Sequence, residues 1–300
     1  MPVTVEKVAY AGWPNCYRVT NGKIEFIMTS DVGPRVIRFG FVGGPNEFAE
    51  FPEDLGRTGG ETWRIYGGHR LWHSPESRAR TYFPDNGPVS VDTLPDGLEV
   101  SQPMETKTGI VKCMRLTMDP EAPRVTAQHQ LKNGGVWPVE MAAWCLSVMA
   151  PGGVGLAPQP REGDEEGLLP NRTLILWPYT EMCDPRYVWG SGLVRLSQDS
   201  GRGPTKFGLS VTDGWAAYVN RGHLFLKEFA WDEDLPYPDG GASVEIYTNE
   251  RMLELETLSP LVLLEPGEAL THTEVWSLFD GFALPEGDDE AIARIKARMA

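Results

Sequence analysis

The chain reads as an all-β protein, a large antiparallel β-sandwich with a short C-terminal helix. Three observations predict this. Short runs of alternating apolar and polar residues follow one another along most of its 300 residues, separated by Gly, Pro, Asn and Asp turn formers. No helical crossovers separate these runs, which argues for antiparallel sheets packed face to face rather than an α/β enzyme. The only good helical pattern lies at 286–299, where Gly287-Asp288-Asp289-Glu290 places acid at a helix start and Ile292, Ile295 and Met299 form an apolar stripe.

Near the N-terminus, strands at 16–21 and 23–30 flank Asn21-Gly22, a strong hairpin signal because both residues tolerate positive φ. Gly33-Pro34-Arg35 breaks the chain before a strand at 36–42, giving a meander. From 59 to 88 the pattern is irregular and reads as a long loop centred on residues 67–76, Gly67-Gly68-His69-Arg70-Leu71-Trp72-His73-Ser74-Pro75-Glu76. Strands resume at 89–93, 98–102, 109–118, 124–133 and 138–149. The segment 150–171, rich in Pro, Gly and acid, is expected to be a surface loop. Further strands follow at 173–177, 193–198, 206–212, 216–220, 224–229 and 243–248. No internal repeat stands out, which argues against a propeller, and 1–300 is expected to form a single sandwich domain.

Hydrophobic content of 41% with 23% charged residues is ordinary for a soluble globular chain. A formal charge of −15 opposes nonspecific contact with nucleic acid or anionic membrane, whose phosphates it repels, and favours a small neutral or cationic partner. The N-terminal residues show no basic-then-apolar export pattern, and Cys16, Cys113, Cys145 and Cys183 lack C-x-x-C spacing. A reduced, cytoplasmic protein is the expectation.

No dinucleotide, P-loop, nucleophile-elbow or zincin motif occurs, so any chemistry must come from dispersed residues. No cofactor is implied. His69 and His73 have helical metal-ligand spacing, but Gly67-Gly68 and Pro75 make a helix there improbable, and no metal is expected. Trp63, Tyr66, Trp72 and Tyr82 lie near these histidines in sequence. Aromatic faces beside His, Arg and Glu suit a sugar cleft, although many such rings serve only as core. In Leu253-Glu254-Leu255-Glu256-Thr257, alternation places Glu254 and Glu256 on one sheet face about 7 Å apart, either as a solvated pair or with one working as a base. Lys227, Glu228, Glu245 and Tyr247 are further candidates for lining a pocket, with a surface charge or ordinary turn the favoured reading of each alone.

With Leu255-Glu256-Thr257, the Pro266-Gly267-Glu268 turn, the last strand through Thr273 and Trp276, and the strand at 138–149 in hand, the chain resembles the galactose mutarotase-like (aldose 1-epimerase-like) superfamily. Within it the chain is most similar to a distant bacterial branch with a Gly-Gly-His-Arg-Leu-Trp-type segment. The resemblance implies the family's large β-sandwich and places Glu256 on its catalytic base, which takes the proton from an anomeric hydroxyl while a histidine protonates the ring oxygen. The family's acid histidine aligns with Trp144, an indole that can stack on a sugar but cannot supply the proton. His69 or His73 is then the expected acid, and Arg35, Arg70, Trp72, Trp144 and Lys227 the expected sugar-binding groups. Aldose 1-epimerisation of a monosaccharide or small sugar derivative is the leading expectation. The alternatives are carbohydrate binding without catalysis, another epimerase or lyase reaction on the same scaffold, and an interaction protein with a vestigial groove. Oligomeric state is left open.

Overall fold

The computed structural model describes residues 2–161, 163 and 168–299. Two large antiparallel sheets pack face to face, as the alternating pattern predicts. Among the described residues the front sheet has eleven strands. It opens with the N-terminal meander Thr4–Tyr10, Trp13–Thr20, Ile24–Thr29 and Arg35–Phe41, then continues through Gly68–Ser74, Val139–Met149, Leu253–Leu258, Val244–Thr248, Thr205–Leu209 and Leu174–Leu176, with Val262–Leu264 added beside Val139–Met149. The back sheet has ten, ordered Tyr187–Trp189, Leu193–Ser197, Val154–Pro158, Trp215–Asn220, His223–Phe229, Ala269–Phe279, Arg124–Asn133, Ile110–Met118, Gly97–Ser101 and Ser90–Leu94.

Between the sheets lies one continuous apolar core in which Trp276, Tyr218, Phe26, Phe39, Phe48, Phe207 and Phe225 are among the bulkiest members. Burying the aromatic side chains contributes roughly 2–3 kcal/mol each, which sets the facing of every strand that carries them. The C-terminal helix, Asp288–Lys296, covers the far side of the back sheet. Ala291 and Ile295 pack with Phe282 on Leu156, Trp215 and Leu226, while Ile292 sits at the edge of that contact. No helix among the described residues is long and apolar enough to cross a membrane.

Two sequence expectations are corrected. The segment centred on 67–76 is not a loop, because Gly68–Ser74 is an interior strand of the front sheet, paired with Arg35–Phe41 on one side and Val139–Met149 on the other. Glycine before it and Ser74-Pro75 after it look like loop punctuation, but the glycines are a steric necessity of a crowded sheet. A Cβ on Gly68, at φ +70, would stand 2.1 Å from the Val36 carbonyl oxygen, and one on Gly67, at φ +93, 2.0 Å from that of Ala49. The expected loop 150–171 likewise contains an interior strand of the back sheet, Val154–Pro158, paired with Leu193–Ser197 and Trp215–Asn220; residues 162 and 164–167 of that range lie outside the described residues. Its five residues are too short to stand out against proline- and acid-rich surroundings. The N-terminal strand Thr4–Tyr10 extends the meander beyond what was expected.

The outer face of the front sheet is not left to solvent. Residues 43–66 and 75–89 fold across it, so Tyr66 packs with Trp13, Val32 and Ile37, and Phe51 with Val148 and Met252. A Gly68→Ala protein should therefore lose at least about 2 kcal/mol of stability by urea denaturation, since both the clash and the positive φ oppose the new methyl. Parent-like stability would show that the strand can enter the sheet another way.

Candidate functional site

Three neighbouring strands build the centre of the front sheet, and their register decides which side chains share a face. Arg70 pairs with Leu146, and Leu146 with Glu256; Trp72 pairs with Trp144, and Trp144 with Leu258. The next strands add Glu245 opposite Glu256, Tyr247 opposite Glu254, and Lys206 opposite Tyr247. All these side chains therefore project to the outer face. There a cleft of about 420 Å³ is lined by Arg70, Trp72, Trp144, Lys206, Tyr247 and Glu254 from the sheet, and by Trp63, Glu76, Tyr82, Trp177 and Tyr179 from covering segments.

The rings form a connected wall. Trp72 touches Trp63, Tyr82 and Trp144 with centroids 5.1, 4.9 and 5.4 Å away. Two cations are threaded into it. The Arg70 guanidinium lies 4.2 Å from the Trp72 ring centre and donates from Nη2 to Glu254 Oε1 at 2.8 Å. The Lys206 ammonium sits between Trp144 and Trp177, 4.7 and 4.5 Å from their ring centres. It reaches Glu256 Oε2 at 2.9 Å and Glu245 Oε2 at 2.6 Å.

Glu256 is fully buried behind two of these lining groups. Its Oε2 accepts from both Trp144 Nε1, at 2.7 Å, and Lys206 Nζ, while Oε1 has no partner. Burial raises the pKa of Glu256 and displaces that of Glu245 further upward, with Lys206 opposing both shifts. Burial would pull the Lys206 ammonium down, but the two carboxyl groups more than reverse it. One ammonium balances one carboxylate, so the trio is neutral when Glu245 keeps its proton.

Of the residues singled out from sequence, Trp63, Arg70, Trp72, Tyr82, Trp144, Tyr247 and Glu254 line this cleft. His69, His73 and Lys227 do not lie on this face, a correction that follows from the pleat, and Glu256 lies on it but buried behind the lining groups. His69 and His73 alternate with Arg70 and Trp72 along one strand and face the space between the sheets, while Lys227 enters that space from the back sheet. Arg35 shares the outer face but is wholly buried under the covering segments. It donates from Nη1 to the carbonyls of Ile65 and Gly67 and pairs with Asp85 at 2.6 Å, so it fastens residues 65–85 onto the sheet.

Between the sheets, His69 and Lys227 belong to a buried polar cluster. His129 Nδ1 must donate to the His272 carbonyl, which leaves His129 Nε2 to accept from His69 Nε2–H at 2.7 Å and His69 Nδ1 to accept from Ser147 Oγ. Lys227 Nζ pairs with Glu274 at 2.8 Å and donates to the carbonyls of Cys145 and Leu255. Thr257 Oγ1 and Trp276 Nε1 complete the partners of Glu274. Burial opposes the Glu274 charge, yet Lys227 holds its pKa well below the usual range. The imidazoles are kept neutral by burial, with His272 lowered to about 4. His69, His129 and Glu274 bring ligand-type atoms within 4.8 Å of one another, but the Lys227 ammonium already holds the cation's position and the ring lone pairs are spent on hydrogen bonds.

Sequence reasoning passed over Lys206, Trp177 and Tyr179. Lys206 stands on a strand whose two faces are both buried, so no alternation marks it, and the two rings follow an edge strand of three residues.

No family model matches the chain, and no curated protein matches it in sequence. Among solved structures it is similar to a protein from Synechocystis sp. PCC 6803, with a TM-score of 0.61 and 9% identity over 92% of this chain and 100% of that one. A galactose mutarotase-like protein from Lactobacillus casei ATCC 334 has a TM-score of 0.57 and 11% identity over 88% of this chain and 100% of its own. Another such protein, from Clostridium acetobutylicum, has a TM-score of 0.54 and 10% identity over 93% and 99%. Such identities carry the fold alone: the chain has the galactose mutarotase-like sandwich along most of its length.

His73 is fully buried with neither ring nitrogen partnered, and burial lowers its pKa from 6.5 to about 3. Between those values the unfolded chain holds a proton that the folded one does not, so His73 costs stability as pH falls below 6.5. The stability of a His73→Leu protein relative to the parent should therefore grow by about 1.5 kcal/mol between pH 6.5 and 5 in urea titrations. A gap independent of pH would show that His73 is charged or hydrated in the folded state.

Proposed function

We propose that this protein binds a monosaccharide or small sugar derivative in the outer cleft of the front sheet, without turning over its anomeric centre. The observation that carries the binding reading is the ring wall with charged groups set into it. Trp63, Trp72, Tyr82, Trp144, Trp177 and Tyr179 offer faces for the C–H surfaces of a pyranose, while Arg70, Lys206, Glu76 and Glu254 offer donors and acceptors for its hydroxyls. The galactose mutarotase-like proteins with the same fold support a sugar as the class of ligand.

The non-catalytic half rests on the surroundings of Glu256. A base for anomeric exchange must reach the hydroxyl it deprotonates, to about 3 Å. Here Trp144 and Lys206 line the cleft in front of the fully buried Glu256; Trp144 spends its one N–H on Oε2, and Lys206 divides its donors between Glu256 and Glu245. No histidine lines the cleft among the described residues, and Lys206 is held too firmly protonated to return a proton near neutral pH.

Binding and anomeric exchange measured by NMR on a panel of aldoses and their derivatives test both halves. The parent should bind at least one sugar without accelerating exchange above background. Trp177→Ala, which removes a ring on a covering segment, should weaken binding about tenfold. Exchange that the parent accelerates and Glu256→Gln abolishes would replace this reading with a mutarotase. Absence of binding to any sugar would reject it.

A further inference from the structure

The central cleft does not end at its own walls. Tyr179 and Pro204 line it and also line a second depression of about 350 Å³ with Glu181, Asp184, Arg186 and Arg202. On the other side Trp63 and Tyr82 are shared with a third depression of about 300 Å³, formed with Glu61, Thr62 and Arg78. Three neighbouring hollows with common walls make one trough across the outer face, and each is close to the lower end of the ~300–1,000 Å³ that a single small ligand occupies.

Buried polar atoms without partners occur along this trough, and several are donors. Arg70, 2% exposed, leaves Nε and Nη1 unpaired in the centre. Arg186, 5% exposed, leaves Nη1 unpaired in the second hollow, although Asp184 engages its Nε and Nη2. Trp63 Nε1, also unpaired, belongs to the wall shared by the centre and the third. These atoms are shielded where they stand, so an occupant meets the exposed polar groups of the hollows instead, Glu76 in the centre, Glu181 and Arg202 in the second and Glu61 and Arg78 in the third, a spacing that suits hydroxyls repeated along a chain. Charge in the flanks is balanced, with Arg186 and Arg202 against Glu181 and Asp184 in one, and Arg78 against Glu61 in the other. Neither flank is a site for a multiply charged group.

We infer that the trough accommodates a neutral oligosaccharide of at least three units, the central cleft holding one unit and each flank another. This rests on the reading of the central cleft as a sugar site and extends it from a single ring to a chain. Tyr179, 44% exposed at the boundary of two hollows, is placed to stack on the linkage region.

The test is calorimetric titration of the parent with neutral gluco-, xylo- and manno-oligosaccharides of one to six units. Affinity should rise at least about tenfold from one unit to three in at least one series. Arg202→Ala and Arg78→Ala alter exposed side chains in the two flanks; each should reduce affinity for the longer chains several-fold and leave affinity for the single unit unchanged. Equal affinity at all lengths, or flank variants that bind long chains like the parent, would overturn the extended trough while leaving the central sugar site standing. If no sugar of any length binds at millimolar concentration, both readings fall together. Unchanged thermal unfolding of the two variants would tie any loss to the flanks.

Discussion

The pleat of three adjacent strands, Gly68–Ser74, Val139–Met149 and Leu253–Leu258, is the constraint on which the rest of the molecule depends. Successive residues must point to opposite faces, so Arg70, Trp72, Trp144, Glu254 and Glu256 go outward while His69, His73, Cys145, Ser147 and Thr257 go inward. A slip of one residue would exchange the two sets. The inter-sheet core forbids that slip, because Leu71 and Leu255 lie on the inward set and would be driven out with it. Two polar clusters consequently lie back to back, and the imidazoles on one side are separated from the carboxyl groups on the other by the sheet itself.

Each cluster handles buried charge by pairing it. Lys227 and Glu274 neutralise one another between the sheets, Lys206 meets Glu245 and Glu256 on the outer face, and Arg70 and Arg35 are matched by Glu254 and Asp85. Such pairs add little net stability against well-packed apolar groups, whereas removing one partner is costly, typically about 3–5 kcal/mol. Their effect is to orient. Lys206 fixes the Glu256 carboxylate against the Trp144 indole, and Arg35 fastens the segment carrying Trp63 and Tyr82 over the sheet. The cleft thus has a rigid floor and walls from covering segments, an arrangement common to binding sites on β scaffolds.

The Glu256 environment separates the binding reading from the catalytic one. The carboxyl group resembles a mutarotase base in sequence position, yet its hydrogen bonds are turned toward the protein. Trp144, where the sequence resemblance leads one to expect a histidine, supplies no acid; its indole N–H engages Oε2, and the ring lines the cleft in front of the buried carboxyl group.

The sequence by itself determined the sandwich, the C-terminal helix and the common face of Glu254 and Glu256, because period-two alternation and turn chemistry are local and survive without knowledge of partners. It also singled out Arg70, Trp72 and Trp144, whose residue types suit a cleft. Tertiary structure alone decided that residues 68–74 form a strand rather than a loop, since the glycines before it answer to the carbonyls of Val36 and Ala49, remote in the chain. It alone placed Lys206, Trp177 and Tyr179 beside Trp144, and parted His69, His73 and Lys227 from the cleft. Those assignments depend on which strands are neighbours and which face is covered, and both are set by packing between segments distant in sequence.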